Sequence, residues 1–259
     1  MKIARVQAGD SVFYGVVEGG FIRRIEGELF GEYTVTQERF PLNGVRLLAP
    51  VSPPNIVCVG LNYKSHAAES QMNIPERPVL FLKATTSLCG PGDAIMLPAA
   101  APDEVDYEAE LAVVIGKTAR NVGKDEALDY VLGYTCGNDV SARDCQLRHD
   151  SQWARGKSFD TFCPLGPLIE TELDPENVRV RTRLNGELMQ DGCTSDMIFS
   201  VRELVSYCSQ QMTLLPGTVL MTGTPDGVGF ARRPPIYLHP GDSVEVEIEG
   251  IGILKNPVK

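Results

Sequence analysis

Glu108, Glu110 and Asp139 are the residues of this 259-residue chain whose types and spacing point most directly to chemistry. The first two lie in Asp106-Tyr107-Glu108-Ala109-Glu110-Leu111-Ala112-Val113-Val114-Ile115, which begins acidic and ends as an apolar run. Side chains of an extended segment alternate between faces. Glu108 and Glu110 therefore point the same way as Ala112 and Val114, while Ala109, Leu111, Val113 and Ile115 point the other. Two like charges beside an apolar wall are costly unless one takes a proton or a cation sits between them. Asp139 ends a second strand-like run, Val131 to Asn138. Three oxygen donors on two neighbouring strands suit Mg²⁺, Mn²⁺ or Ca²⁺ better than zinc, which prefers nitrogen and sulfur. The plain alternative is a solvated strand end, because E-x-E is common and metal sites are rare.

Other reactive side chains are few. His66 and Glu69 are three apart on an expected helix and share a face, as residues of an ordinary solvated helix also do. The remaining histidines, His149 in a polar stretch and His239 before a Pro-Gly turn, read as surface residues. Seven cysteines, odd in number and never in C-x-x-C spacing, read as reduced and mostly buried thiols, with nothing pairing any of them with a histidine. Thr222-Gly223-Thr224-Pro225-Asp226-Gly227-Val228-Gly229 is a turn that either reverses the chain or presents backbone N–H groups and the Thr224 hydroxyl to a carboxylate. It lacks the lysine and spacing of a nucleotide-binding loop.

These residues must be carried by a mixed, β-rich α+β fold. Residues 2 to about 26 read as three short antiparallel strands. Pro50-Val51-Ser52-Pro53-Pro54 marks a boundary between a small N-terminal β domain (1–50) and a catalytic, metal-binding domain (51–259). Ile56–Gly60 and Pro78–Lys83 read as strands, and Asn62 is placed to cap a helix through Ser65–Ser70. Three Pro-Gly or Gly-Pro-Gly turns feed the apolar runs at Ile95–Leu97, Val219–Met221 and Val244–Ile248. The clearest helix runs from Val201 to about Gln211, with a Ser200/Glu203 capping box; a shorter one is expected from about Lys124 to Asp129.

Lys plus Arg is 24 against 34 for Asp plus Glu, a formal charge of −10, which repels nucleic acid and anionic membranes. No apolar run approaches the ~18 residues of a membrane span, and the start lacks a signal-peptide core. The expectation is a cytoplasmic protein with neither partner. An anionic small substrate would need local positive charge from a metal or from particular Lys and Arg residues.

The blocks DYEAELAVVIGK, GYTCGNDVSARDCQ, RGKSFDTFCPLGP, NGELMQDGCTSDMIFS and MTGTPDGVG, in that order over about residues 54–259, resemble the fumarylacetoacetate hydrolase family. The likeness is to its small bacterial-type members, among them acylpyruvate hydrolases and 2-hydroxyhepta-2,4-diene-1,7-dioate isomerases. The resemblance implies a β-roll or sandwich catalytic domain and a homodimer. It implies Mg²⁺ or Mn²⁺ on Glu108, Glu110 and Asp139. By the same resemblance His66 and Glu69, in the pattern begun by Asn62 and Tyr63, form a water-activating pair on a mobile lid. Lys157 matches the active-site lysine, Gln146 a polar residue of the pocket, and the Thr224 turn borders the substrate. The implied substrate is a small anionic 2-oxo acid of acylpyruvate type, cleaved at a carbon-carbon bond through a metal-bound enolate. Isomerisation of 2-hydroxy-dienoate dicarboxylates and decarboxylation of a β-keto acid such as oxaloacetate share that enolate and stay open. Leu61 stands where some acylpyruvase-like members carry arginine, so the distal substrate group is open too. A non-catalytic metal-binding scaffold is the remaining alternative, and it would need neither His66–Glu69 nor Lys157.

Overall fold

The computed structural model describes all 259 residues. In chain order its principal elements are β1 (Lys2–Ala8), β2 (Ser11–Glu18), β3 (Phe21–Gly27), β4 (Tyr33–Pro41), β5 (Ile56–Gly60), α1 (Lys64–Glu69), β6 (Val79–Lys83), β7 (Ala109–Ile115), β8 (Val131–Asn138) and α2 (Ala154–Lys157). There follow β9 (Cys163–Glu170), β10 (Arg179–Leu184), β11 (Glu187–Cys193), α3 (Val201–Gln211), β12 (Val219–Met221), β13 (Ser243–Ile248) and β14 (Gly252–Pro257). Strands dominate, and no helix is long and apolar enough to cross a membrane.

One large sheet runs β4-β3-β2-β1-β9-β8-β7-β12-β5-β6, and a four-stranded sheet runs β11-β10-β13-β14. The period-2 reading of β7 describes its packing. Ala109, Leu111, Val113 and Ile115 face a core shared with Val180, Val246 and Ile248 of the second sheet and with Leu204 and Val205 of α3. Ala112 and Val114 face the opposite core, with Ile3, Ile56, Cys58 and Met221. A strand buried on both faces has no solvated side to which Glu108 and Glu110 could escape.

The N-terminal strands do not form a sheet of their own. Lys2 and Ile3 pair with Glu170 and Ile169, so β1 extends the large sheet. Helix α3 forms over Val201–Gln211 with the reciprocal Ser200/Glu203 capping box. Three local expectations need correction. Asn62 does not cap α1; Tyr63 holds the cap position without a side-chain bond, and the Asn62 amide is taken by Phe199 and Thr222 instead. The Lys124–Asp129 helix is a single 3₁₀ turn at Ala127–Tyr130. Ile95–Leu97 makes only an isolated bridge, Ile95 to Val258.

Parallel pairing of β5 with β12 (Ile56↔Val219, Cys58↔Met221) delivers two loops to one end of the sheet, 61–70 and 222–229. Antiparallel pairing of β7 with β8 (Ala109↔Asn138, Glu110↔Gly137) brings the start of one strand and the end of the other to the same place.

Candidate active site

Ladder geometry assembles the carboxylates first. Asp139 N donates to Glu108 O at 2.9 Å, so Glu108 and Asp139 leave adjacent strands side by side. Ligand oxygens of Glu108, Glu110 and Asp139 lie within 4.8 Å of one another, and all three side chains are buried. Cations enclose them. Lys157 Nζ bridges Asp139 Oδ2 (2.6 Å) and Glu108 Oε2 (2.8 Å), Lys83 Nζ meets Asp139 Oδ1 (2.5 Å), and Arg143 Nη2 meets Glu108 Oε1 (2.7 Å) and Asp106 Oδ2 (2.8 Å).

The charges are unevenly shared. Burial pushes the Glu108 carboxyl up, but Lys157 and Arg143 together outweigh it and hold Glu108 well below the usual range. Glu110 makes no direct ion pair. Burial, then Asp139 and Glu108, drive it well above the usual carboxylate range, opposed mainly by the Gly223 N–H donating to Oε2 at 2.8 Å. Burial also works against the Lys157 ammonium, yet Asp139 and Glu108 raise its pKa and keep it charged. An all-oxygen donor set with one under-neutralised carboxylate fits a hard divalent cation, so these three residues form a possible acidic metal site.

Two glycines make the approach possible. A Cβ on Gly156 would sit 2.9 Å from Ala142 O, so only glycine lets the short helix α2 come deep enough to bury Lys157. A Cβ on Gly223, which has φ 96°, would lie 2.7 Å from the Asn62 Cβ.

Helix α1 lies over the cluster. Glu69 Oε2 is 3.2 Å from His66 Nδ1, and Glu69 Oε1 accepts from Gly227 N at 2.9 Å. A carboxylate only accepts, so Nδ1 is the donor, and in the neutral imidazole Nε2 keeps its lone pair. His66 lines a cleft together with Glu108, Glu110, Asp139, Lys157, Gln146 and Thr224. Gln146 Oε1 accepts from Arg143 Nη1 at 2.8 Å, and the Thr224 hydroxyl accepts from Gln190 Nε2 at 2.8 Å. All the candidate residues thus meet around one cleft, with Glu69 just behind His66. His149 and His239 are exposed and outside it.

Sequence reasoning passed over Lys83, Arg143, Asp106 and Phe230. Asp106, fully buried, accepts from Arg143 Nε (2.9 Å) and from the backbone N–H groups of Gly229 (2.8 Å) and Phe230 (3.0 Å). It thereby sets Arg143, whose guanidinium carbon lies 4.3 Å from the Phe230 ring centroid, at the cleft wall. The usable signal for Arg143 was its place four residues beyond Asp139; Lys83 carried none, being the last residue of an apolar strand.

The cysteines are free, six of them buried. One correction applies: Cys145 does have a histidine near it, since its sulfur and ligand atoms of Asp144 and His149 lie within 4.8 Å of one another. Burial, then the Asp144 charge, raises the Cys145 thiol and disfavours the nucleophilic thiolate.

Residues 55–259 match the family described as fumarylacetoacetate (FAA) hydrolase, C-terminal, and residues 1–50 match the one described as Rv2993c-like, N-terminal. The rat (Rattus norvegicus) mitochondrial oxaloacetate tautomerase Fahd2a is 46% identical over 222 residues, 84% of this chain and 71% of that one. The crystal structure of 2-hydroxyhepta-2,4-diene-1,7-dioate isomerase from Mycobacterium marinum superposes with a TM-score of 0.90 at 45% identity, covering 100% of this chain and 98% of that one. A fumarylacetoacetate hydrolase from Exiguobacterium antarcticum gives 0.90 at 42% identity, covering 100% and 99%.

Proposed function

Because this chain belongs to the fumarylacetoacetate hydrolase family, we propose that it is a divalent-metal-dependent enzyme that moves a proton on a small 2-oxo diacid, interconverting keto and enol forms of an oxaloacetate-type substrate. The observation that carries this reading is His66, held by Glu69 with Nε2 free, on the same cleft as a buried cluster of cations and carboxylates. Enolisation needs a base on one side of the reacting carbon and a sink for negative charge on the other. The tautomerase and isomerase names of the relatives agree with it.

A divalent cation on Glu108, Glu110 and Asp139, Mg²⁺ or Mn²⁺ by family, would supply Lewis acidity toward adjacent carboxylate and ketone oxygens. His66 Nε2 accepts the proton from the carbon next to the ketone and delivers it to the ketone oxygen to give the enol, the reverse transfer restoring the ketone, while Glu69 holds the ring in the required tautomer. Lys157, charged throughout, and Arg143 offset the negative charge that develops. Gln146 and Thr224 offer polar contacts to the substrate, and α1 shields the exchange from bulk water. A metal-binding scaffold would need neither an oriented histidine nor a buried lysine.

A second reading, hydrolysis of an acylpyruvate, is favoured by the same free Nε2, which would then deprotonate water. The test is a panel of oxaloacetate, acylpyruvates and hydroxymuconate-type dienoates with Mg²⁺, product identification, and comparison with His66→Ala. Interconversion of tautomers or double-bond isomers at unchanged mass supports the proposal. Pyruvate plus a free acid selects hydrolysis, and carbon dioxide selects decarboxylation. For either base-dependent reaction, His66→Ala is expected to cost about 10²- to 10⁴-fold in rate.

A further inference from the structure

Helix α1 is not self-sufficient. It has six residues, well below the roughly 12–15 at which isolated helices become even marginal, yet it carries His66 and Glu69. Its N-cap residue, Tyr63, provides no side-chain cap. The first turn of a helix leaves N–H groups without partners, and an uncapped start frays.

The missing cap comes from far along the chain. Asp196 Oδ2 accepts from Ser65 N at 2.9 Å across 131 residues. A carboxylate there also complements the positive end of the helix dipole. Asp196 closes the 3₁₀ turn Thr194–Asp196, which is fastened to Val178, the residue before β10: Thr194 N donates to Val178 O (2.9 Å) and Val178 N to Thr194 Oγ1 (2.8 Å). The carboxylate thus stands on a fixed support. Asp196 does not line the cleft and touches neither His66 nor the acidic cluster.

The chain entering α1 is held separately. Ile198 N donates to Asn62 O (2.8 Å), Phe199 N to Asn62 Oδ1 (2.9 Å), and the Asn62 amide to Phe199 O (3.0 Å) and Thr222 O (2.7 Å). These bonds dock Asn62 without using the Asp196 carboxylate, whose bond is to the helix that follows.

We propose that Asp196 is a positioning residue: it caps α1 from a distance and so holds the His66–Glu69 pair over the cleft. This rests on the reading of His66 as the catalytic base, and the test separates the two claims. Hydrogen exchange of the Mg²⁺-loaded protein is measured on the segment 62–72. In Asp196→Ala its exchange rises about fivefold, the population change made by losing one cap of ordinary strength, while α3 is unchanged. The same variant loses less than fivefold in kcat, because activity follows the closed fraction, which falls less than the open fraction grows, with KM and metal affinity little altered. Asp196→Asn, an equally good cap, restores both readouts. In a His66→Ala background, Asp196→Ala costs no further activity, because its effect passes through that histidine.

Unchanged exchange at 62–72, exchange rising equally along the whole chain, or failure of asparagine to restore it overturns the proposal. So does an additive loss in the double variant. If His66→Ala alone leaves the rate intact, the catalytic reading falls, and the exchange measurement still decides whether Asp196 holds the helix.

Discussion

Lys83 Nζ lies 2.5 Å from Asp139 Oδ1, and both side chains are sealed from solvent. The lysine also donates to Val140 O at 3.1 Å, so it locks the end of β8 as well as the carboxylate. Lys83→Met leaves a buried Asp139 with one cation fewer. Removing one partner of a buried pair typically costs about 3–5 kcal/mol. The expected outcome is a loss of that order in the unfolding free energy of chelator-treated protein, measured by denaturant titration, together with weakened metal binding.

Metal binding should release a proton. Burial, Asp139 and Glu108 raise the Glu110 carboxyl well above its ordinary range, so in metal-free protein it stays protonated where a free glutamate has ionised. Calorimetric titration with Mg²⁺ in buffers of different ionisation enthalpy is expected to show net proton release, and affinity that rises with pH. The stability sign follows from the same shift. The native state holds a proton that the unfolded chain loses above pH ~4.3, so the Glu110 contribution to metal-free stability falls as pH rises from there toward its raised native value. Saturating metal should flatten that dependence.

Chelation is expected to abolish turnover, and Mg²⁺ or Mn²⁺ to restore it. Asp139→Ala should bind the ion far more weakly, read by calorimetry independently of activity. Full activity after exhaustive chelation would remove the metal from the mechanism.

Gly156→Ala places a Cβ 2.9 Å from Ala142 O and 3.0 Å from Gln146 N. Both are backbone atoms, so α2 must shift outward and carry Lys157 with it. Activity should fall more than thermal stability does, whereas Ala154→Gly, on an exposed position of the same helix, should leave activity near wild type.

A homodimer is the expected assembly. The large sheet ends on β6, an edge strand that exposes Val79 and Leu82. Light scattering at micromolar concentration should return twice the chain mass, and a monomeric mass would count against it.

Local pattern was enough for the parts of this protein that depend on neighbours in sequence. Alternation along β7 put Glu110 on the side opposite Ala109, Leu111, Val113 and Ile115 of a doubly buried strand, because a pleated backbone permits no other arrangement, and Glu108 stands one residue before that strand. The Ser200/Glu203 box set the start of α3 through bonds spanning three residues. An available signal went unused at Asn185-Gly186, whose positive φ angles of 53° and 87° make the tight turn between β10 and β11. The lysines show what pattern could not reach. Between glycine and serine, Lys157 reads as a surface residue, and its role came only from family resemblance; its burial depends on Glu108, 49 residues away, and on how closely Gly156 approaches Ala142. Lys83 and Asp139 are separated by 56 residues, and Asp196 and Ser65 by 131. Whether a charged side chain is solvated or locked in an ion pair depends on which strands become neighbours, and a distant cap depends on which loop comes to rest at a helix start. Sheet order decides both, so the tertiary structure alone assigned them.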